Sequence, residues 1–332
     1  MADGRVFLRG IVSDNYGLKT LWRRQRTSPR VRGPDVVVDN GHVGRSTVRN
    51  DNSVGWRVGP GDEPFLTQTL QVHFNQLPAH GSNVGHGHQN EAAFYVLEGV
   101  GHEIHDGMRY DWKQGDLIVV HSDCVHRHFN DSDQPALLMV IKAKSLWMYL
   151  GLIQQGQRAE WDETPNYGTR EDWSRLWTPG VGTRSKIVKQ EETPWSETRD
   201  GSVRVIASSD TDDLRLFSID LYEQRIESGA ASARHWHMAD EIVYVLEGSG
   251  YSLHWEVEAE IADRYYARIA TTPSRHEVNA GDILYIPPNT VHQHISASGG
   301  PLRVLCAHNR IFSMLGYDKV VYLADVSDGG DL

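Results

Sequence analysis

Cysteine is nearly missing from this chain: two residues, Cys124 and Cys306, in 332. That excludes a disulfide framework and any thiolate-rich zinc site. Basic residues are outnumbered, 33 Lys and Arg against 44 Asp and Glu, for a formal net charge of -11. No Lys/Arg cluster of the kind that neutralises a phosphate backbone is present, so nucleic acid is not expected as a partner. An acidic surface is equally unsuited to anionic membranes, and plain solubility accounts for it. Long hydrophobic runs are lacking too. Leu137 to Ile141 is among the longest, far short of the roughly 20 residues that span a bilayer. The opening Met-Ala-Asp-Gly-Arg-Val-Phe-Leu lacks the charged-then-apolar pattern of a secretion signal, so a cytoplasmic location is expected.

What the chain does have is one histidine pattern written twice. His86-Gly-His88 precedes Leu97-Glu98-Gly99-Val100-Gly101, then Gly115-Asp116-Leu117, then Val125-His126-Arg127-His128. His235-Trp236-His237 precedes Leu246-Glu247-Gly248-Ser249-Gly250, then Gly281-Asp282-Ile283, then Val291-His292-Gln293-His294. Order is preserved and the first spacing is identical, so the chain contains two homologous β-domains.

Turn residues recur at the short intervals of sandwiches and barrels, and Thr67 to Phe74 alternates like a strand entering the first one. The expected organisation is an N-terminal arm over 1–60 without a repeat counterpart, a first domain over 61–150, a connector over 151–200, a second domain over 201–323 and an acidic tail over 324–332. The connector carries Trp161, Trp173, Trp177 and three prolines, with a helix expected from Arg170 to Leu176. Gly101 to Gly115 is 14 positions, whereas Gly250 to Gly281 is 31. The excess, about Glu256 to Glu277, extends a hairpin that folds over a barrel mouth or joins a dimer contact.

Side chains alternate across a strand, so His86 and His88 share a face, as do His235 and His237. Two imidazoles on one pleat face converge on one ion when a third arrives from a neighbouring strand, and His126 and His292 are placed to supply it. Four residues after His237, Glu241 completes a set of three His and one Glu. Copy one has Ala92 at that position. Glu91 lies nearby but has the wrong parity, so it is expected to point away. Imidazole and carboxylate donors suit Fe(II), Mn(II), Ni(II) or Zn(II), and the open coordination positions favour catalysis over a structural role. His128 and His294 fall on the ligand face, either as hydrogen-bond or proton-transfer partners or as satisfied inward histidines. Phe94 and Val96 share that face and give copy one an apolar pocket wall. Cys124 lies within reach of a metal or serves as a small buried filler.

These motifs resemble those of the cupin superfamily, and specifically a two-cupin (bicupin) protein. The resemblance rests on His235-Trp-His237-Met-Ala-Asp-Glu241 with Gly248, on Gly281 with Pro287-Pro-Asn289 and His292, and on Gly115 with His121-Ser-Asp123, His126 and Asn130. It implies an all-β fold of two tandem double-stranded β-helix (jelly-roll) barrels with an N-terminal arm and a partly helical connector. Copy one is most similar to the gentisate 1,2-dioxygenase and salicylate 1,2-dioxygenase group, which lacks the usual Glu and has Ala where Ala92 stands. Asp106-Gly-Met-Arg-Tyr-Asp-Trp112 and His126-Arg-His128-Phe-Asn130 share that pattern. The resemblance implies an Fe(II)-dependent, ring-cleaving dioxygenase, with iron at His86, His88 and His126 and a small hydroxylated aromatic substrate and O2 at the vacant positions. A homo-oligomer is expected. That group commonly places an Arg for the substrate carboxylate where this chain has Phe94. Arg127 and Arg234 have the wrong parity to replace it, and Arg225 is unplaced. The second copy's ligands are similar to those of flavonol-cleaving dioxygenases and oxalate decarboxylases. A metal-dependent decarboxylase or isomerase at His235, His237, Glu241 and His292 is therefore the alternative activity, and a non-enzymatic binding bicupin the alternative class.

Overall fold

The computed structural model describes residues 27–34, 47–49, 52–59, 67, 69–152, 155–157, 184–211 and 215–324. They form short antiparallel strands almost throughout, with two brief helices at Lys144–Tyr149 and Ile311–Met314. The expected helix from Arg170 to Leu176, Trp161, Trp173, Trp177 and residues 325–332 lie outside the described residues. Among the described residues no helix is long and apolar enough to cross a membrane.

Each half folds as a jelly-roll of two sheets. In the first half, a seven-stranded sheet runs Ile187–Val188, Leu117–Val120, Ala92–Glu98, Ala136–Lys142, Gln71–Leu77, Asn52–Val58, Thr47–Arg49. Its five-stranded companion runs Gln155–Gln157, His86–His88, Cys124–Asn130, Val100–His105, Met108–Lys113. The second half repeats the plan. Its seven strands are Val31–Arg32, Ile283–Ile286, Glu241–Glu247, Leu302–Asn309, Ile219–Ile226, Gly201–Ala207 and Ser196–Thr198. Its smaller sheet is centred on Ser249–Ile261, Thr290–Ser296 and Arg234–His237.

Strand alternation assigns each face of the large sheets a separate task. Along Ala136–Lys142, Leu138 and Val140 point into the first barrel's own core, while Met139 and Ile141 join a second cluster. That second cluster also holds Leu221, Ile242, Tyr244 and Leu305 from the other half, so the two large sheets pack face to face. Burying each such side chain contributes ~1.5–3 kcal/mol, which makes the interface a core in its own right.

Two expectations need correction. The strand foreseen from Thr67 runs instead over Gln71–Leu77, because Thr67 and Thr69 turn their hydroxyls to Asp240 of the other half. The first 60 residues are also not free of repeats. Thr47–Arg49 and Asn52–Val58 lie 149 positions before Ser196–Thr198 and Gly201–Ala207, the same displacement that separates His86 from His235. They are the outer strands of the first large sheet, pairing with Gln71–Leu77. Part of the arm crosses over as well, since Val31–Arg32 pairs with Ile283–Ile286 of the second half.

The long segment of copy two is a hairpin. Residues 257–261 pair with Tyr265–Ile269, continuing a ladder in which 249–254 pair with Ser274–Asn279. Gly101 and Gly250, the last residues of the two LEGxG motifs, run against carbonyl oxygens that a Cβ would meet at 2.0 and 2.1 Å. Any side chain there would force the hairpin off the strand carrying the third histidine.

Candidate functional site

Neighbouring strands bring the two histidine triplets together. His86 and His126 face each other across one rung, as do His235 and His292. Within each set of His86, His88 and His126, or His235, His237 and His292, the candidate ligand atoms all lie within 4.8 Å of one another. Donors about 2.1 Å from a shared ion would sit roughly 3–4 Å apart. Ring-centroid distances are 5.5, 4.4 and 4.9 Å in the first set and 5.7, 4.2 and 4.8 Å in the second. The two triplets are near copies in three dimensions.

Backbone carbonyls set the direction of the rings. His86 Nδ1 meets Val84 O at 2.8 Å and His235 Nδ1 meets Ala233 O at 3.1 Å. His88 meets Asn90 O at 2.6 Å, His237 meets Ala239 O at 2.9 Å, and His292 meets Thr290 O at 3.2 Å. A proton on Nδ1 leaves Nε2 with a lone pair, the form a metal takes. Nε2 of His88, His126, His237 and His292 is buried without a hydrogen-bond partner among the described residues. Four inward lone pairs in dry surroundings would be costly with nothing between them, and that fits a divalent ion. Burial, with Lys142 and neighbouring rings, pulls His88 down to about 2. Burial likewise holds His126 and His292 far below the ordinary imidazole value. His88, His126 and His292 are therefore neutral at pH 7, whereas Asp200 outweighs burial at His235 and raises it.

Glu241 reaches its triplet, though not along one strand. The strand ends at His237 and a new one begins at Glu241, so a corner rather than alternation aims the carboxylate. Its Oε2 lies 3.4 Å from His237 Nε2 and 3.5 Å from His292 Nε2, and Tyr222 donates to Oε1 at 2.7 Å. Glu91 turns away, accepting hydrogen bonds at 2.8 Å from the backbone N–H groups of Phe217 and Ser218.

One residue in this site is absent from the motifs. His308 Nε2 sits 3.5 Å from Glu241 Oε2, and His237, Glu241 and His308 form a further converging set. His308 is paired across the sheet with Glu241 on one side and Asp220 on the other. Burial opposes its protonation, but Glu241 outweighs burial and raises its pKa. Burial would lift Glu241, yet His308 and His237 hold its carboxyl well below the usual range.

The equivalent rung of copy one is Ala92, Lys142 and Gln71. Ala93 pairs with Ile141 as Ile242 pairs with Ala307, and Lys142 pairs with Gln71 as His308 pairs with Asp220. The Lys142 ammonium is 6.0 Å from the centre of the Phe94 ring. Burial, then Lys144, pulls it down to about 7.

Other candidates separate clearly. The Phe94 ring lies 4.4 Å from His128 and 6.4 Å from His126, whereas Val96 sits in the barrel's apolar core. His128 is fully buried with Nδ1 3.5 Å from Glu103. His294 is buried beside the second triplet, 5.6 Å from His292, and burial lowers it to about 4. A cavity of about 340 Å³ opens onto His235, His237, Glu241, His292, His294 and His308 between Val203, Leu221 and Tyr322. Cys124 donates to His121 O at 2.8 Å and belongs to the apolar core, so it is a filler. Arg127 is held by Asn83 O and Ser82 on the outer face. Arg225 pairs with Glu227 in solvent.

A family model described as "Cupin domain" matches residues 73–142 and 222–308, the two strand sets that carry the triplets. The chain is a bicupin. Among solved structures, this bicupin is similar to salicylate 1,2-dioxygenase from Pseudoaminobacter salicylatoxidans with gentisate adducts, at 14% identity and a TM-score of 0.64, covering 98% of this chain and 92% of that one. It is also similar to an oxalate decarboxylase variant from Bacillus subtilis, at 17% identity and a TM-score of 0.61, covering 90% and 80%. At such identities the likeness establishes the fold. No curated protein matches the sequence significantly.

Proposed function

We propose that this bicupin is a metalloenzyme, and that its first barrel is an Fe(II)-dependent dioxygenase cleaving a small hydroxylated aromatic compound. The observation that carries this reading is the first triplet itself: three inward imidazoles, no carboxylate ligand, and an aromatic wall alongside. His86, His88 and His126 would hold the ion on one side and leave the rest of its coordination sphere free. Bound there, Fe(II) would supply chelation of the substrate and activation of O2. The Val84 and Asn90 carbonyls keep the His86 and His88 rings aimed at a common point. Phe94 offers a buried ring face for an aromatic substrate to pack against. A gentisate- or salicylate-like substrate is favoured by the known ligands of the structurally similar enzyme.

The test is oxygen uptake by iron-loaded protein with a panel of mono- and dihydroxybenzoates. Substrate-dependent uptake with loss of the aromatic absorbance is expected, and none with any member of the panel would overturn the reading. A second reading belongs to the other barrel. The cavity lined by His235, His237, Glu241 and His292 suits a metal-dependent decarboxylase or isomerase, which would turn over under strict anaerobiosis.

A further inference from the structure

We infer that Lys142, with Gln71 beside it, is the anion-receiving wall of the first centre. The ligand taken there then carries a carboxylate or phenolate next to the group that reaches the metal. The inference rests on the proposal that the first triplet binds a small aromatic ligand, and it adds the charge that ligand must bear.

Position comes first. Lys142 shares the inward face with Leu138 and Val140, which line the first barrel's core. It also stands where the second barrel places His308, whose ring reaches the Glu241 carboxylate at 3.5 Å. Its ammonium lies 6.0 Å from the centre of the Phe94 ring, which itself stands 4.4 Å from His128 and 6.4 Å from His126, so Lys142 is on the triplet's side of the sheet.

The missing counter-charge is the decisive point. In the second barrel the rung through His308 brings two carboxylates, Glu241 and Asp220. In the first barrel the same places hold Ala92 and Gln71. Among the described residues Lys142 makes no hydrogen bond or ion pair, and Phe94 meets it only at 6.0 Å, the outer limit of a useful cation–π contact. Gln71 Oε1 is also buried without a hydrogen-bond partner among those residues, and an amide that can rotate offers an N–H to the same ligand. An ammonium held this way beside a divalent ion is repelled by it, and an anion relieves that cost. Phe94 then receives the ring while Lys142 receives the charge, so the cation lies behind the aromatic wall rather than within it.

The experiment uses the full-length protein loaded with Zn(II), titrated calorimetrically with salicylate and with its neutral analogue salicylamide. Zn(II) supports no oxygen chemistry, so failure of ring cleavage leaves this titration unaffected and the two proposals fail separately. Salicylate is expected to bind about 10- to 100-fold tighter than salicylamide, the range a charge-assisted hydrogen bond supplies. That preference should vanish in Lys142→Met and survive in Lys142→Arg, which marks charge rather than packing as its cause. It should be lost in His88→Ala and kept in His308→Met. Equal binding of the two compounds by the unmodified protein would overturn the inference. So would a preference that persists in Lys142→Met, or one that disappears with His308→Met instead.

Discussion

The two barrels carry their triplets on equivalent strands with nearly equal ring spacings, yet the rung of the large sheet behind each triplet has the opposite electrical character. Behind the second triplet it reads Glu241, His308, Asp220; behind the first, Ala92, Lys142, Gln71. The second centre contains its own anion and a histidine whose pKa that anion raises. The first offers a cation and waits for an anion from outside. Backbone geometry fixes where a metal sits, and one rung decides what accompanies it.

The largest expected effect separates the centres by reaction. His88→Ala should lower oxygen uptake by at least about 100-fold, above the ~10–100-fold that loss of a partner outside the ligand set costs. His237→Ala should leave most of it intact, and metal analysis should fall by one equivalent in each variant. Equal loss of uptake in both would erase the functional distinction. Next in size, Ala92→Glu copies the second centre's carboxylate into the first. It should tighten metal binding there by about tenfold or more, because one added anionic ligand lies beside a divalent ion. It should weaken salicylate binding, because the new carboxylate neutralises Lys142. Unchanged salicylate binding would show that the rung does not control ligand charge.

A third prediction concerns what the halves share. Glu91 accepts from Phe217 and Ser218 of the second half, and Asp240 accepts from Thr67 and Thr69, which precede the first barrel. Glu91→Ala and Asp240→Ala should each cost ~2–4 kcal/mol by orphaning buried donors. Melting temperature by calorimetry should fall in both, with metal content unchanged. A large fall in only one would mean the clamps are symmetric in shape but not in energy.

The smallest effect is in acid. Burial keeps His88 at about 2 and holds His126 and His128 well below 6.5, so these rings are neutral in the folded metal-free protein. Unfolded histidine protonates near 6.5, so the stability their neutral forms contribute is full above that pH and is lost as pH falls toward the folded values. In the second barrel burial acts the same way on His237, His254, His292 and His294, but Asp200 and Glu241 outweigh it at His235 and His308 and raise both. Those two contribute stability that is full below 6.5 and lost as pH rises through their folded values. Hydrogen exchange at about pH 7.5 and about pH 5.5 should therefore show Cys124–Asn130 loosening more than Thr290–Ser296 on acidification. The reverse order would break the electrostatic contrast.

Much of this was legible in the chain. The His-x-His pairs, the glycines and the third histidines sit at fixed positions because hairpin geometry tolerates little else, so the barrels and both triplets could be placed from sequence alone. Glu91 does point away from the first centre as expected, but it lies in the corner between His86–His88 and Ala92–Glu98, where the turn rather than strand parity sets its direction. His308 and Lys142 were not visible. They lie sixteen residues past His292 and His126 on a strand with no motif, and only sheet closure brings them behind the triplets. A signal was present nonetheless: in both copies an apolar run, Leu137 to Ile141 and Val304 to Ala307, is followed by a basic residue type, Lys142 or His308. The strands Thr47–Arg49 and Asn52–Val58 escaped notice because their sequences carry little apolar alternation, although Ser53-Val54 and Ser202-Val203 keep the common displacement of 149.

Glu91 and Asp240 act as fasteners between the barrels. Each stands immediately before the strand that begins at Ala92 or Glu241, and each is fastened to a segment belonging to the opposite barrel. Cutting the chain between the barrels would therefore leave each half with a sealed acidic group whose donors had gone, and with one face of its large sheet uncovered. A single barrel expressed alone is then no miniature of the whole. The two centres, however different their chemistry, are assembled in one act.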